Sequence, residues 1–239
     1  GRVIAITHFL PGPAERCQPV KIAGNPHSRC IAGQGMIPPM RSLALLLMVL
    51  ASPVLAGSEP SRLTAAARDQ VGVTLTYDPA YAKLAFPGGD VPRDRGVCTD
   101  VVIRALRDAW GIDLQLAVNR DMKADFTAYP ALWGLTKTDR NIDHRRVPNL
   151  AAHFVRIGAK VPLVEGPTPY LPGDIVTWRL PGNLDHIGIV SDRLAADGTP
   201  LILHNIGHGA QEENILFAYP MTGHYRIGKG QAEKLKALR

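Results

Sequence analysis

The chain has 239 residues, and its 27 lysines and arginines against 21 aspartates and glutamates give a net charge of +6. Hydrophobic residues make up 46% of it, which is enough for one domain with a buried core. Residues 1–56 hold five of the basic residues and one acidic residue, so most of the excess positive charge lies there. The rest of the chain has no basic stripe, which argues against a nucleic-acid-binding protein.

Residues 40–56 have the pattern of a secretory signal peptide. Arg41 precedes an apolar run over 43–50, and the segment ends in residues typical of a cleavage site. The apolar run is about half the ~20 residues that a spanning helix needs, so we expect no permanent membrane span; a buried core helix is the alternative. We interpret residues 1–39 as an over-extended N-terminus and residues 57–239 as the single domain of an exported protein, periplasmic or extracellular.

Beyond residue 56, the hydrophobic pattern predicts helices first and strands later. The clearest element is a helix over 98–110, in which apolar residues recur at the spacing of one helical face and Gly111 follows as a stop. The strand pattern begins after Pro172, and we expect the tail after Gly228 to be frayed. This order predicts an α+β fold whose N-terminal helices pack on a C-terminal antiparallel sheet. The expected helices span 61–71, 98–110, 119–128 and 147–157, and the expected strands span 174–180, 186–192, 200–206 and 224–227.

Cysteine usage singles out Cys98. Of the three cysteines, Cys17 and Cys30 lie in the leader, and a lone remaining cysteine has no internal disulfide partner. Cys98 opens a predicted helix, where free backbone N–H groups and the helix dipole lower the pKa of a thiol and can bind an oxyanion. We therefore predict that Cys98 is a nucleophile; the alternative is a small buried hydrophobic residue.

A thiolate nucleophile needs an imidazole as its base, and His186 is the predicted partner. It begins a predicted strand, and Gly188 on the same face leaves room for a helix N-terminus or a substrate. A third residue would orient the imidazole. His204 and Asn205 end the next strand and point to opposite faces, so only one of them can face His186. We favour His204 and keep Asn205 as the alternative.

The polar segment over residues 139–146 carries several charges. Such a run is usually a solvated surface. Arginine side chains also bind carboxylates with two hydrogen bonds, and the stem peptides of cell walls carry free carboxylates, so the second interpretation is a substrate clamp. A phenol close to the nucleophile could bind the substrate or an oxyanion. The predicted substrate-binding residues are Tyr77, Arg140, Asp143, His144 and Arg145.

Several strings of the sequence are typical of one family. Gly-Val-Cys-Thr-Asp-Val-Val-Ile-Arg-Ala over 96–105, Asp-Arg-Asn-Ile-Asp-His-Arg-Arg-Val-Pro-Asn over 139–149, Pro-Gly-Asp-Ile-Val over 172–176 and His-Asn-Ile-Gly over 204–207 resemble the DUF1287 family of bacterial exported proteins. The resemblance extends from about Leu63 to Ile227.

The order of these motifs is also similar to the NlpC/P60 branch of papain-like cysteine hydrolases. In both, a cysteine at a helix start is followed by a Pro-Gly-Asp strand and by a strand such as His-Ile-Gly-Ile-Val over 186–190. The resemblance implies a papain-like fold with a Cys/His active site. NlpC/P60 enzymes commonly have Asp-Cys-Ser-Gly at the nucleophile, whereas this chain has Val-Cys-Thr-Asp over 97–100.

Together these features predict an exported cysteine hydrolase without a cofactor or metal. It would cleave an amide bond in peptidoglycan or a related peptide through a thioester intermediate. A Cys-dependent acyltransferase would have the same sequence features. The non-enzyme alternative is a cell-wall-binding module on a papain-like fold, which has no need for a cysteine and two histidines together. A metal site is less favoured, because no compact motif joins its candidate ligands Cys98, His186, His204 and His208.

Overall fold

The structure, a computed structural model, describes residues 59–163 and 170–237. The interpretations of residues 1–39 and 40–56 therefore lie outside the described residues. Short 3₁₀ turns over Phe126–Ala128, Asp143–Arg145 and Pro181–Asn183 connect the longer elements. The helices are α1 Glu59–Arg68, α2 Cys98–Trp110, α3 Leu114–Ala124, α4 Val147–Arg156 and α5 Lys229–Ala237.

The strands form two sheets. β1 and β2 are a short parallel pair, whereas the larger sheet is antiparallel in the order β3-β8-β4-β5-β6-β7. The chain therefore has the mixed helix and antiparallel-sheet architecture that the sequence predicts. The strands are β1 Thr76–Tyr77, β2 Arg95–Gly96, β3 Lys160–Val161, β4 Ile175–Leu180, β5 Leu184–Leu194, β6 Pro200–Asn205, β7 Ala210–Glu213 and β8 Met221–Tyr225.

The two faces of the large sheet pack into two separate hydrophobic clusters, because successive side chains of a strand point to opposite faces. Ile187 and Ile189 of β5 belong to the larger cluster, which they share with the buried faces of the helices and with Cys98. Trp178 and Val190 belong to the smaller cluster on the other face, together with Tyr170 and its neighbours. Consecutive residues of β5 therefore pack into different clusters. Ile187 and Ile189 face the cluster that contains Cys98, and Val190 faces the other cluster.

Helix α2 has the bounds that the sequence predicts. Its start is fixed by Asp100, whose Oδ2 accepts a 2.7 Å hydrogen bond from the backbone N–H of Val97. Its end is fixed by Gly111, which adopts the left-handed conformation at φ 64° that terminates many helices. Gly96, just before the helix, must lack a side chain, because a Cβ there would lie 2.9 Å from Oδ2 of Asp100.

Two of the predicted helices have wrong boundaries. The helix expected over 119–128 is α3, which begins at Leu114 because the Asp113 side chain caps the backbone N–H of Leu116. It ends at Ala124, and only a 3₁₀ turn follows. The helix expected over 61–71 is α1, which ends at Arg68 in a series of turns. The prediction over 147–157 is confirmed by α4 to within one residue.

The predicted strands are found with shifted ends, and some elements were missed. β5 is longer at both ends than the predicted 186–192, and β8 begins three residues before the predicted 224. The tail is not frayed after Gly228, because α5 buries Leu235 in the larger cluster. Strand β7 was not predicted, since its sequence Ala-Gln-Glu-Glu has no strand pattern of its own and pairs with β6 along the sheet edge.

Candidate active site

Cys98 is the first residue of α2 and lines a pocket of about 210 Å³. The residue is only 5% exposed. Strand β2 leads directly into α2, and its pairing with β1 brings Tyr77 next to Gly96 and so to the same pocket. The polar and aromatic side chains around the pocket are Tyr77, Cys98, Trp133, Arg145, Arg146 and Asp185.

The thiol of Cys98 is in its neutral form. Burial raises its pKa to about 12, and the carboxylate of Asp100 acts in the same direction. The backbone N–H groups of Ile187 and Thr99 favour the thiolate, but they do not offset the loss of hydration. The low thiol pKa expected from the helix N-terminus is therefore wrong for this conformation, because burial outweighs the helix dipole.

His186 and His204 form a direct contact on one face of the sheet. Nε2 of His186 lies 3.1 Å from Nδ1 of His204, and the two rings meet edge to face. His186 also packs beside Trp178, its partner in the β4–β5 ladder. Both histidines are buried. Of the two candidates for the third residue, the structure thus brings His204 to His186.

A carboxylate lies beyond the second histidine. Oε2 of Glu213, on the neighbouring strand β7, is 3.0 Å from Nε2 of His204, and Glu213 is half exposed. The contact is an ion-pair contact and not an aligned hydrogen bond. Burial lowers the pKa of His204, and Glu213 opposes that shift. Sequence reasoning missed Glu213, because the pairing of β6 with β7 could not be read from the sequence.

No hydrogen bond joins the thiol of Cys98 to the imidazole of His186 within the described residues. His186 shares its face of β5 with its ladder partner Trp178, whereas Cys98 packs in the cluster of Ile187. The sulfur lies against the backbone of Ile187, the residue after His186. Burial, with a smaller contribution from His204, lowers the pKa of His186 to about 3. The imidazole is therefore neutral, and because Nε2 is occupied by His204, Nδ1 is the ring nitrogen left for a thiol.

Asn205 lies on the opposite face from His204, as the strand alternation predicts. Its Nδ2 donates a 3.1 Å hydrogen bond to the carbonyl oxygen of Gly96, two residues before Cys98. Asn205 therefore fastens the end of β6 to the segment that leads into α2. The same carbonyl also accepts a hydrogen bond from the backbone N–H of Asp78.

Arg145 reaches the pocket, but its guanidinium is bound to Asp100. Nε donates to Oδ1 at 2.9 Å and Nη2 donates to Oδ2 at 2.8 Å, and both side chains are buried. In addition, the hydroxyl of Thr99 donates to the backbone carbonyl of Arg145. These contacts tie the polar segment to the first turn of α2.

The other three residues of the predicted clamp lie in different surroundings. Arg140 is exposed and stacks over Phe86, and it is not among the pocket residues. Asp143 is buried and accepts a hydrogen bond from the backbone N–H of Asp139. His144 is also buried, and burial lowers its pKa to about 3. The structure does not bring these three side chains together around the pocket.

Tyr77 contributes a phenol to the pocket. Its side chain lines the pocket with Cys98. Partial burial raises the pKa of Tyr77 to about 12, and the nearby Cys98 and Asp100 contribute to this shift. The phenol is therefore a hydrogen-bond donor at neutral pH within the same pocket as the thiol.

The pocket continues into a second groove of about 700 Å³. The two share Trp133, Val147, Pro148 and Asp185. Sequence reasoning assigned no role to Trp133, which lies in an irregular loop and offers no periodic signal. Asp185 is paired with Arg179 at 2.9 Å at the junction of the two cavities.

Comparison with known proteins places the chain in a family. The sequence profile of the DUF1287 family, described as a domain of unknown function, matches residues 64–227. The chain belongs to the DUF1287 family. It is 58% identical over 160 residues to the uncharacterised protein YijF of Escherichia coli, a match that covers 67% of this chain and 78% of that protein.

A solved structure, NlpC1 from Trichomonas vaginalis, is similar at 14% sequence identity with a TM-score of 0.39. That match covers 72% of this chain and 45% of the NlpC1 chain.

The DUF1287 match includes the whole of the site described above, from Tyr77 to Glu213. Within residues 59–163 and 170–237, no group of three histidine, cysteine or acidic side chains is arranged to hold a metal ion. No helix in these two ranges is long and apolar enough to cross a membrane.

Proposed function

We propose that this DUF1287 protein is an exported, papain-like cysteine hydrolase that cleaves an amide bond in peptidoglycan or a related peptide. One observation carries the proposal: a buried cysteine at a helix start lies in a pocket beside a strand whose histidine is held by a second histidine. A cysteine with only a structural role requires neither a pocket nor a neighbouring pair of histidines. The export and the cell-wall substrate rest on the signal-peptide pattern of residues 40–56 and on the family resemblance.

The reaction follows from the neutral thiol and the neutral imidazole. As the substrate carbonyl enters the pocket, Nδ1 of His186 takes the proton of Cys98, and the sulfur attacks the carbonyl carbon. The resulting oxyanion is stabilised by backbone N–H groups of the first turn of α2 and by the phenol of Tyr77. The imidazolium then protonates the leaving amine, and a thioester remains on Cys98.

Water completes the reaction. His186 removes a proton from water, the hydroxide attacks the thioester, and the thiol is restored as the carboxylic acid product leaves. The absence of a hydrogen bond between thiol and imidazole in the free protein is compatible with this sequence, because catalytic hydrogen bonds often tighten only when substrate is bound.

The row of His186, His204 and Glu213 supports the choice of base. The carboxylate of Glu213 favours a proton on Nε2 of His204. Nδ1 of His204 is then the acceptor, and Nε2 of His186 is the protonated nitrogen that donates the hydrogen bond between the two rings. The remaining lone pair of His186 is on Nδ1, which is the nitrogen assigned to the thiol.

The size of the cavities supports a peptide substrate. The pocket at Cys98 accepts a group of a few atoms, whereas the adjoining groove provides about 700 Å³ for residues on one side of the scissile bond. Its walls include apolar residues such as Leu132 and Ala151 as well as Arg179. An extended peptide with mixed side chains suits such a groove.

The test is digestion of purified peptidoglycan by the full chain, with released peptides identified by mass spectrometry. We expect the wild type to release peptides that carry a new amine and a new carboxylate, and we expect Cys98→Ala to release none. Cys98→Ser should bind the material but turn over at least about a hundredfold more slowly, since a serine hydroxyl is far less acidic than a thiol. Equal release by wild type and Cys98→Ala would contradict the proposal.

Two other results would replace the proposal with a different function. Products joined to an added amine, in place of free carboxylates, would identify an acyltransferase. Binding to peptidoglycan that persists in Cys98→Ala, with no bond cleaved by the wild type, would identify a binding module.

A further inference from the structure

The pocket at Cys98 is lined by two arginines that differ in their contacts. The guanidinium of Arg145 is held by two hydrogen bonds to Asp100, so its charge is balanced inside the protein. No hydrogen bond among the residues that the structure describes uses the guanidinium of Arg146, and its Nη1 is buried without a hydrogen-bond partner. A buried cationic donor that makes no hydrogen bond is costly unless a ligand supplies an acceptor.

Arg146 is held in place by stacking. Its guanidinium carbon lies 4.1 Å from the centre of the Trp133 ring, a close cation–π contact. Trp133 is half exposed and lines both the pocket and the adjoining groove. The stacking fixes the plane of the guanidinium and leaves its edge for hydrogen bonds, which is the arrangement that suits a carboxylate.

Arg146 has one ion-pair partner and no hydrogen bond within the described residues. Asp143 is the nearest acid, at 3.8 Å, which is an ion-pair distance and too long for a hydrogen bond. Asp185, the acid that lines the pocket, is paired with Arg179. The pocket therefore presents one cation whose ion-pair partner, Asp143, does not hydrogen-bond to it, and Oδ1 of Asp143 also lacks a hydrogen-bond partner.

We propose that Arg146, stacked on Trp133, binds a carboxylate of the substrate next to the scissile amide. This inference rests on the proposed function, since it places the carboxylate relative to the carbonyl that Cys98 attacks. The preferred substrate is thus an amide whose acyl or amine part carries a free carboxylate within a few bonds of the cleaved bond. The sequence predicted an arginine that binds a substrate carboxylate; we assign this role to Arg146 and not to Arg145, whose guanidinium is bound to Asp100.

Alkylation of Cys98 tests this subsite without knowledge of the substrate. Iodoacetate carries a carboxylate and iodoacetamide is its neutral counterpart of nearly equal size. The rate for each reagent is measured in the full chain by mass spectrometry of the peptide that contains Cys98, because the chain has three cysteines. We expect the ratio of the iodoacetate rate to the iodoacetamide rate to fall about fivefold or more in Arg146→Gln. The iodoacetamide rate itself should change little.

Two further variants separate binding from structural effects. Arg140→Gln removes an exposed arginine outside the pocket and should leave the ratio unchanged. Trp133→Leu removes the stacking at a half-exposed position, and we expect an intermediate ratio with an unchanged Tm. If the ratio is the same in wild type and Arg146→Gln while Cys98 reacts with iodoacetamide, the carboxylate subsite is wrong. If Cys98 of the wild type reacts with neither reagent, the nucleophile itself is wrong and the subsite is lost with it.

Discussion

At the scale of single residues, the ionisation of Cys98 is decided by two opposing effects. The start of a helix favours a thiolate by roughly 0.3–1 kcal/mol, whereas full burial can shift a pKa by several units in the other direction. In this chain burial is the larger effect, and it also keeps His186 unprotonated. The free protein therefore holds a neutral thiol and a neutral imidazole, in contrast to a preformed ion pair.

The protonation of Cys98 can be measured by thiolate absorbance at 240 nm, as the difference between the wild type and Cys98→Ala. We expect no thiolate signal from this residue at pH 7, and a signal that rises only as the pH approaches about 12. Because the unfolded chain ionises the same thiol at lower pH, the free energy of unfolding should fall as pH rises through this range. A thiolate signal with a midpoint below pH 7 would instead indicate a resting ion pair.

At the scale of elements, the first turn of α2 and the 3₁₀ turn over Asp143–Arg145 are held together by one buried ion pair. Asp100 accepts from the backbone of Val97 as well as from Arg145, so a single carboxylate both caps the helix and anchors the polar segment. Removal of one partner leaves a buried charge without its counter-charge, which is more costly than loss of a surface pair.

Arg145→Ala should therefore act on stability. We expect the free energy of unfolding to fall by about 3–5 kcal/mol, measured by urea denaturation. The matched control is Arg140→Ala, which removes an exposed arginine from the same segment and should cost less than about 0.5 kcal/mol. An unchanged unfolding midpoint together with a raised KM would show that Arg145 binds substrate, as the sequence first suggested.

The elements that the sequence predicts well are those with a strong local pattern. Helix α2 has one apolar face and a glycine stop, and α4 has a similar pattern. The start of α3 was missed although Asp113 offered a capping signal, because its apolar residues do not recur regularly. Strand β7 pairs with the preceding strand β6 but has no strand pattern of its own, and helix α5 depends on packing against distant parts of the chain.

At the scale of the whole molecule, the candidate site is assembled from four distant segments. Tyr77 comes from the short parallel pair, Cys98 from α2, Arg146 from the segment before α4, and His186 from the large sheet. The residue types could be selected from the sequence, because cysteine and histidine chemistry is specific. The distances between these residues could not be predicted. The ion pair of Arg145 with Asp100 joins residues 45 apart in the chain, and β7 has no strand pattern that would reveal its pairing with β6.

The rate of Cys98 alkylation by iodoacetamide at pH 8 tests whether His186 is the base for Cys98. The rate is compared in the full chain between wild type, His186→Ala and the control His208→Ala, which removes an exposed histidine. We predict that the rate falls about tenfold or more in His186→Ala and is unchanged in the control. Equal rates in wild type and His186→Ala, with all three proteins folded, would contradict a Cys98–His186 pair.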